Sequence, residues 1–360
     1  MIGRVKTFVH KHAEYISPAV FLFGFVIDNL TLTRIDVLFD NIILASYVGI
    51  ATFSIFALSA ITSSRWRFRY SDRVVYFLPF VLQFAFGGLF SGFFVFYSRS
   101  SSLATSWLFL VVLVAFLVAN EFFEGFKRHY QRLTFQLSIL FLGIFSYTIF
   151  LVPVIIKQIG TLVFLASGVV ALGVFLLLFV VLTRLAPERA RRSRRSVTLS
   201  VVSMYVVVHI LYFAHIIPPI PLSLKDIGVY HHVTRTPDGY TVHEEERPWF
   251  DVLTKHDRTI AWTGEPVYVF ASVFAPTNLT ATVYHKWQFK SARGWETRSR
   301  IPIKLSGGRD GGYRGYTFKG SLEEGAWRVR IVTDNGGIVG QAKFEIERVS
   351  TIPELVIITK

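Results

Sequence analysis

The residues best equipped for chemistry in this chain sit inside apolar stretches. Glu121, Glu124, His209 and His215 are the types that hold a metal ion or activate water, and ionisable groups inside a membrane are costly enough to mark function by default. Their spacing does not assemble a site. His209 and His215 are six residues apart, about 240° around a helix, whereas ligation from one face needs i, i+4 spacing. At 1.5 Å rise per residue, Glu121 and His209 differ in expected depth by roughly 12 Å. The expectation is no metal and no cofactor. The absence of cysteine removes disulfides, thiolate zinc sites and Cys nucleophiles. Asp28, beside Asn29, falls near the same end of the apolar stretches as His215, which makes Asp28 and His215 the first pair to test.

These groups are carried by long apolar segments. The chain is 52% hydrophobic and 17% charged, against about 25% charged for soluble domains, and the deficit lies in its first two thirds. A bilayer crossing needs about 20 mostly apolar residues. Seven segments meet or approach that: 16–32, 42–61, 74–97, 103–123, 133–156, 161–182 and 197–217. The first follows Arg4, Lys6 and Lys11 without a small-x-small cleavage pattern, so it reads as an uncleaved anchor. Gly88 and Gly92 on the third have the small-xxx-small spacing of closely packed helices.

The +14 net charge is a topology signal here rather than a nucleic-acid stripe. Lys and Arg in the short loops fall sixteen on one side and three on the other, alternating without exception, and the rich loops mark the cytoplasmic side. The richest is Arg184, Arg189, Arg191, Arg192, Arg194 and Arg195, just before the last segment. Seven crossings from a cytoplasmic amino terminus put everything after Pro218-Pro219-Ile220-Pro221 outside. The expected location is the bacterial cytoplasmic (inner) membrane, with residues 1–217 as a polytopic domain and 222–349 as an extracytoplasmic or periplasmic domain. Residues 350–360 read as a tail.

The second domain has the two-residue period of half-buried strands. Ala281, Val283, His285, Trp287 and Phe289 share one face of a strand. Trp327, Val329 and Ile331 alternate with Arg328 and Arg330, and Asp334-Asn335-Gly336-Gly337 is a hairpin signal before the alternating run from Ile338 to Ile346. Pro266–Ala275 is apolar on both faces, as in a central strand, and 229–234, 240–246 and 313–319 are weaker strands. Seven or eight short strands in about 125 residues suggest an immunoglobulin-like sandwich.

His285-Lys286-Trp287, then Trp295, Arg298-Ser299, Gly325-Ala326-Trp327-Arg328-Val329, Gly336-Gly337 and Phe344 resemble the bacterial domain-of-unknown-function 2914 family, over roughly Val267 to Ile346. The resemblance implies a domain boundary and no activity. A binding pocket would use His285 on the inward face with Arg298 and Ser299 across from it and Trp287 and Trp327 as walls. The simpler reading is a core histidine, satisfied by a backbone carbonyl or Ser299, between core aromatics. Tyr268, Tyr284 and Tyr316 are expected at the surface, where they could stack on sugars. His231, His232, His243 and Glu244–Glu246 read as a solvated hairpin.

The fold class expected is therefore a seven-helix transmembrane bundle followed by an all-β immunoglobulin-like sandwich. The expected role is a bacterial integral membrane protein that presents the sandwich to a protein or glycan partner in the cell envelope. Its other partner is the lipid bilayer, and nucleic acid is excluded. The alternative is a transporter or membrane-embedded enzyme with the β-domain as lid or recruiter.

Overall fold

The computed structural model describes residues 25–32, 36–63, 72–100, 111, 114–115, 132–217, 221–237, 239–246, 258–308 and 311–360. The chain divides into two compact units, with the break after Ile217.

The first unit is helical. Among the described residues five helices are long and apolar enough to cross a membrane: α1 (Leu38–Ile61), α2 (Asp72–Ser100), α3 (Leu133–Ile156), α4 (Thr161–Leu185) and α5 (Pro187–Phe213). A shorter helical stretch covers 25–31. Among the described residues, then, six helices, five of them long and apolar enough to cross a membrane, stand where seven spans are expected. Most of the expected span at 103–123, with Glu121 and Glu124, lies outside the described residues. Leu44, Ala51, Ile55 and Leu58 form the buried stripe of α1, at the 3.6-residue period of a helix with one packed face. α3 is central. It contacts α1, α4 and α5, and its Phe150 stacks on Phe93 of α2 with centroids 6.0 Å apart.

The run expected as a basic loop is helical instead. Only Ala186 separates α4 from α5. Pro187, at the first turn of α5, has its φ pre-set for a helix and no N–H to lose, and the arginines that follow are good helix formers. Arg189 Nη1 donates to Thr62 Oγ1 at 2.8 Å and reaches Leu58 O at 3.4 Å. A guanidinium thus closes the carboxyl end of α1, where free carbonyls and the helix dipole favour a cation.

The small-residue spacing on α2 receives large neighbours from α1. A Cβ on Gly88 would strike the Tyr47 ring, and one on Gly92 would meet Leu44. Gly88→Leu is expected to cost about 1–3 kcal/mol through overpacking. The check is a lowered unfolding midpoint of the full chain in mild detergent.

The second unit is built of strands: β1 (Ser223–Tyr230), β2 (His232–Thr236), β3 (Gly239–Glu245), β4 (Arg258–Trp262), β5 (Val267–Phe274), β6 (Thr280–Ser291), β7 (Gly294–Ser306), β8 (Tyr313–Lys319), β9 (Gly325–Thr333), β10 (Ile338–Arg348) and β11 (Leu355–Thr359). They form three sheets, ordered β1-β5-β8, β4-β10-β9-β6-β7 and β11-β3-β2. Among the described residues there are eleven strands where seven or eight are expected. The segment read as a tail supplies β11, which pairs antiparallel with β3.

The five-stranded sheet packs against β1-β5-β8 through Val229, Ile260, Val267, Val269, Trp287, Trp327, Val329, Phe344 and Ile346. The other face of β1-β5-β8 is covered by the third sheet through Tyr230, Val233, Val242 and Phe270, with Tyr240, Tyr268 and Tyr316 beside them. β5, apolar on both faces, is the middle strand of the middle layer, as its sequence predicts. The hairpin between β9 and β10 closes at the expected Asp334–Gly337, where Gly336 takes φ 86° and its N–H bonds Thr333 O at 3.0 Å.

Candidate functional site

In the helical unit the singled-out polar residues that are described, Asp28, Asn29, His209 and His215, do not converge. Asp28 is buried and lies against the Tyr47 and Ser91 hydroxyls, so α1 and α2 supply its company. No ion pair joins it to His215, which sits in the turn after α5 with φ 55°. Asn29 is beside it in the same helical stretch. His209 is packed among aromatic rings, 4.2 Å from Tyr205, 5.2 Å from Phe164 and 5.7 Å from Phe145 by centroid. Its Nδ1 contacts Tyr205 O at 2.8 Å, and Gly168 leaves the room its ring fills. Among the described residues no group of three or more His, Asp or Glu is placed to hold a metal.

In the β-rich unit His285 and Trp287 share one acceptor, and it is not Ser299. Both point inward from β6 and are buried. Trp287 Nε1–H donates to Thr317 Oγ1 at 3.1 Å, and His285 Nδ1 lies 2.9 Å from the same oxygen. Thr317 comes from β8 of the facing sheet, so the group ties the two sheets across the core. With the indole N–H on one lone pair of the hydroxyl, the second lone pair and the hydroxyl proton remain for His285 Nδ1, so the contact is open to either imidazole tautomer. Burial pushes the His285 imidazole down to about 3, because a charged ring cannot be hydrated there.

The expected partners across the strand lie elsewhere. Ser299 is opposite Trp287 in register, while His285 is opposite Ile301. A bulge between Trp287 and Gln288 sends Arg298 to the sheet edge. There it pairs with Glu323 at 2.9 Å and lies 5.5 Å from the Phe289 ring. Trp327 meets the same segment, its Nε1–H donating to Glu323 O at 2.8 Å. The expected pocket is thus two separate structural contacts. Tyr268 and Tyr316, expected at the surface, are partly covered by the third sheet. In the histidine hairpin, Glu245 Oε1 takes the Ala261 N–H at 2.9 Å and contacts His231 Nε2 at 2.7 Å, tying β3 to β4.

Periodicity alone did not expose the outer face of the five-stranded sheet, where Lys286, Arg300, Arg328, Arg330 and Lys343 come together. Arg328 and Arg330 are visible as alternating residues of one strand. The gathering depends on register between four strands. The outward parity of Lys and Arg on β6, β7, β9 and β10 was the signal available.

The strands from β6 to β10 are also where the chain resembles known sequences. Residues 280–346 match the family described as Protein of unknown function (DUF2914). The β-rich unit carries this DUF2914 region. It begins at the first residue of β6 and ends at Ile346 near the end of β10, so it holds Thr317 and every cation of the outer face. No curated protein matches the chain. Among solved structures, the Pseudomonas fluorescens alkylpurine DNA glycosylase AlkC bound to DNA containing an abasic site analog aligns over 88% of this chain and 99% of its own, at 12% identity and a TM-score of 0.19. A score that low carries no argument about fold or function.

Proposed function

We propose that this is a bacterial inner-membrane protein that holds an immunoglobulin-like β-domain outside the cytoplasm, where the domain binds a protein or glycan partner of the cell envelope. The contact of Arg189 with the end of α1 carries the reading. It brings the carboxyl end of the second expected span and the amino end of the last one to the same level, which supports the expectation from sequence that the basic runs next to both lie on one side. Other pairs agree with that layering. Ser138, near the start of α3, and Ser200, in the middle of α5 and near the start of the expected span 197–217, are 2.7 Å apart. Tyr147, late in α3, donates to Asn41 O at the start of α1 at 3.2 Å. The immunoglobulin-like assignment is supported by sandwich packing and by the parallel pairing of β4 with β10, in which an early strand returns beside the last strand of the main sheet.

The test is an alkaline phosphatase fused after Lys360 and expressed in bacteria. This enzyme is active only outside the cytoplasm. High activity is expected there, and low activity if the fusion is moved to Thr62. Activity at Thr62 with none at Lys360 would invert the arrangement and remove the envelope role with it.

A further inference from the structure

The outer face of the β4-β10-β9-β6-β7 sheet is an array of cations in two rows. Register places Arg300, Lys286 and Arg330 side by side on β7, β6 and β9. The next row runs Gln288, Arg328 and Lys343 on β6, β9 and β10. Paired strands are about 4.8 Å apart, so like charges stand directly opposite one another, an arrangement that destabilises a sheet.

Asp334 stands beside Arg300 at one end of the first row, where its backbone oxygen accepts from Arg300 Nη2 at 3.4 Å and its carboxylate takes the Tyr284 hydroxyl at 2.5 Å. Among the described residues no carboxylate is ion-paired with the array, and the unit's ion pairs are made elsewhere, by His231, Arg298, Arg348 and Lys360. The arginine heads are instead held by neutral groups. Arg328 Nε donates to Gln288 Oε1 at 3.0 Å, and its guanidinium lies 4.2 Å from the Trp295 ring. Arg330 Nε donates to Gln341 Oε1 at 3.2 Å. The Arg300 guanidinium lies 3.8 Å from the Tyr284 ring. For Arg328 and Arg330 the Nε–H is used and the terminal fork has no carboxylate, which leaves a pre-oriented donor pair for an incoming anion. Burial and the neighbouring Arg330 pull the Arg328 guanidinium down to about 10, the electrostatic strain that a bound anion would relieve.

We propose that this face binds an acidic polysaccharide, whose successive carboxylates are taken by Arg300, Lys286, Arg330, Arg328 and Lys343. The proposal rests on the envelope reading and deepens it by naming the partner's chemistry. Rows that cross three strands on an open sheet suit an extended polyanion, whereas one small anion needs donors converging on a point. A membrane surface fits less well. Interfacial binding draws on apolar groups buried among the headgroups, and among the described residues the exposed large apolar side chains of this unit are Phe318, Val356 and Ile357, on β8 and β11 and not on this face. Nucleic acid fits less well too, since single strands are held by stacking on free aromatic faces and the rings here already carry guanidiniums.

The experiment uses the full chain in a neutral detergent and measures binding to polygalacturonate, with neutral dextran, duplex DNA and phosphatidylglycerol vesicles as comparisons. The variant is Arg328→Gln with Arg330→Gln. The control, Arg235→Gln with Lys319→Gln on β2 and β8, removes the same charge elsewhere in the unit. Polygalacturonate is expected to bind and dextran not. The Arg328/Arg330 variant should lose about tenfold in affinity with a shallower salt dependence, and the control should stay within about twofold. The unfolding midpoint of the variant should hold or rise as like-charge repulsion is removed, which separates a lost contact from a lost fold. If the variant does not fold, Lys286→Gln reads the same contact. No binding of polygalacturonate, an equal loss in the control, or tighter binding of DNA or of the vesicles would each overturn the proposal. Any of these results with phosphatase activity at Lys360 would leave the envelope reading standing.

Discussion

Trp287→Ala is expected to destabilise the β-rich unit by about 3–5 kcal/mol. The indole is fully buried at the meeting of two sheets. It contacts Phe344 edge-on, with centroids 6.2 Å apart, and its N–H reaches Thr317 Oγ1 on the facing sheet. Truncation opens a cavity that rigid strands on both sides cannot close, and the cost of such a cavity grows with the volume left empty. Trp287→Phe retains most of the ring volume and loses the hydrogen bond, so it should cost less, on the order of 1–3 kcal/mol. Urea unfolding of the full chain in neutral detergent, followed by circular dichroism of the strands, measures both. An unchanged midpoint for the alanine variant would mean that another contact holds the sheets together.

The part of this architecture that local pattern governs was readable from the residues. A helix that must satisfy its own backbone in an apolar medium has to be long and apolar, and α1, α3 and α4 fall close to the segments read for them. Strand alternation placed His285, Trp287, Trp327 and Phe344 on inward faces, and Asp334–Gly337 marked its turn by composition. What was missed depends on distant partners. β11 is five residues long and follows Pro353, so it shows little period of its own. It forms because β3 offers an edge. The arginines of residues 184–195 read as a loop from sequence because a charge run looks the same whether it is coiled or helical. Only the end of α1 beside Arg189 tells the two apart. Thr317, 32 residues from His285 on a weakly patterned strand, could not be chosen over Ser299 without knowing which sheet faces which. The basic outer face is a property of register, and register cannot be read from any one strand.

That same threonine makes the second large effect a matter of pH. His285 is neutral when folded, its pKa held near 3 by burial, while the unfolded ring titrates near 6.5. Protons therefore bind the unfolded chain first. The stability tied to the neutral ring is complete above about pH 6.5 and falls as the pH drops toward 3. At about 1.4 kcal/mol for each pH step across that window, roughly 2 kcal/mol is gone by pH 5 and about 4 by pH 3, where the folded ring itself begins to take up a proton. Other groups titrate over the same range, so the measurement is a difference. His285→Gln has no proton to take up, and its amide can meet the Thr317 hydroxyl as donor or as acceptor. Unfolding free energies of the natural chain and the variant, each taken at pH 7 and pH 5, should show the natural chain losing about 2 kcal/mol more than the variant. Equal losses would mean that the folded imidazole takes up a proton as readily as the unfolded one, and that water reaches Nε2 in the core between the sheets.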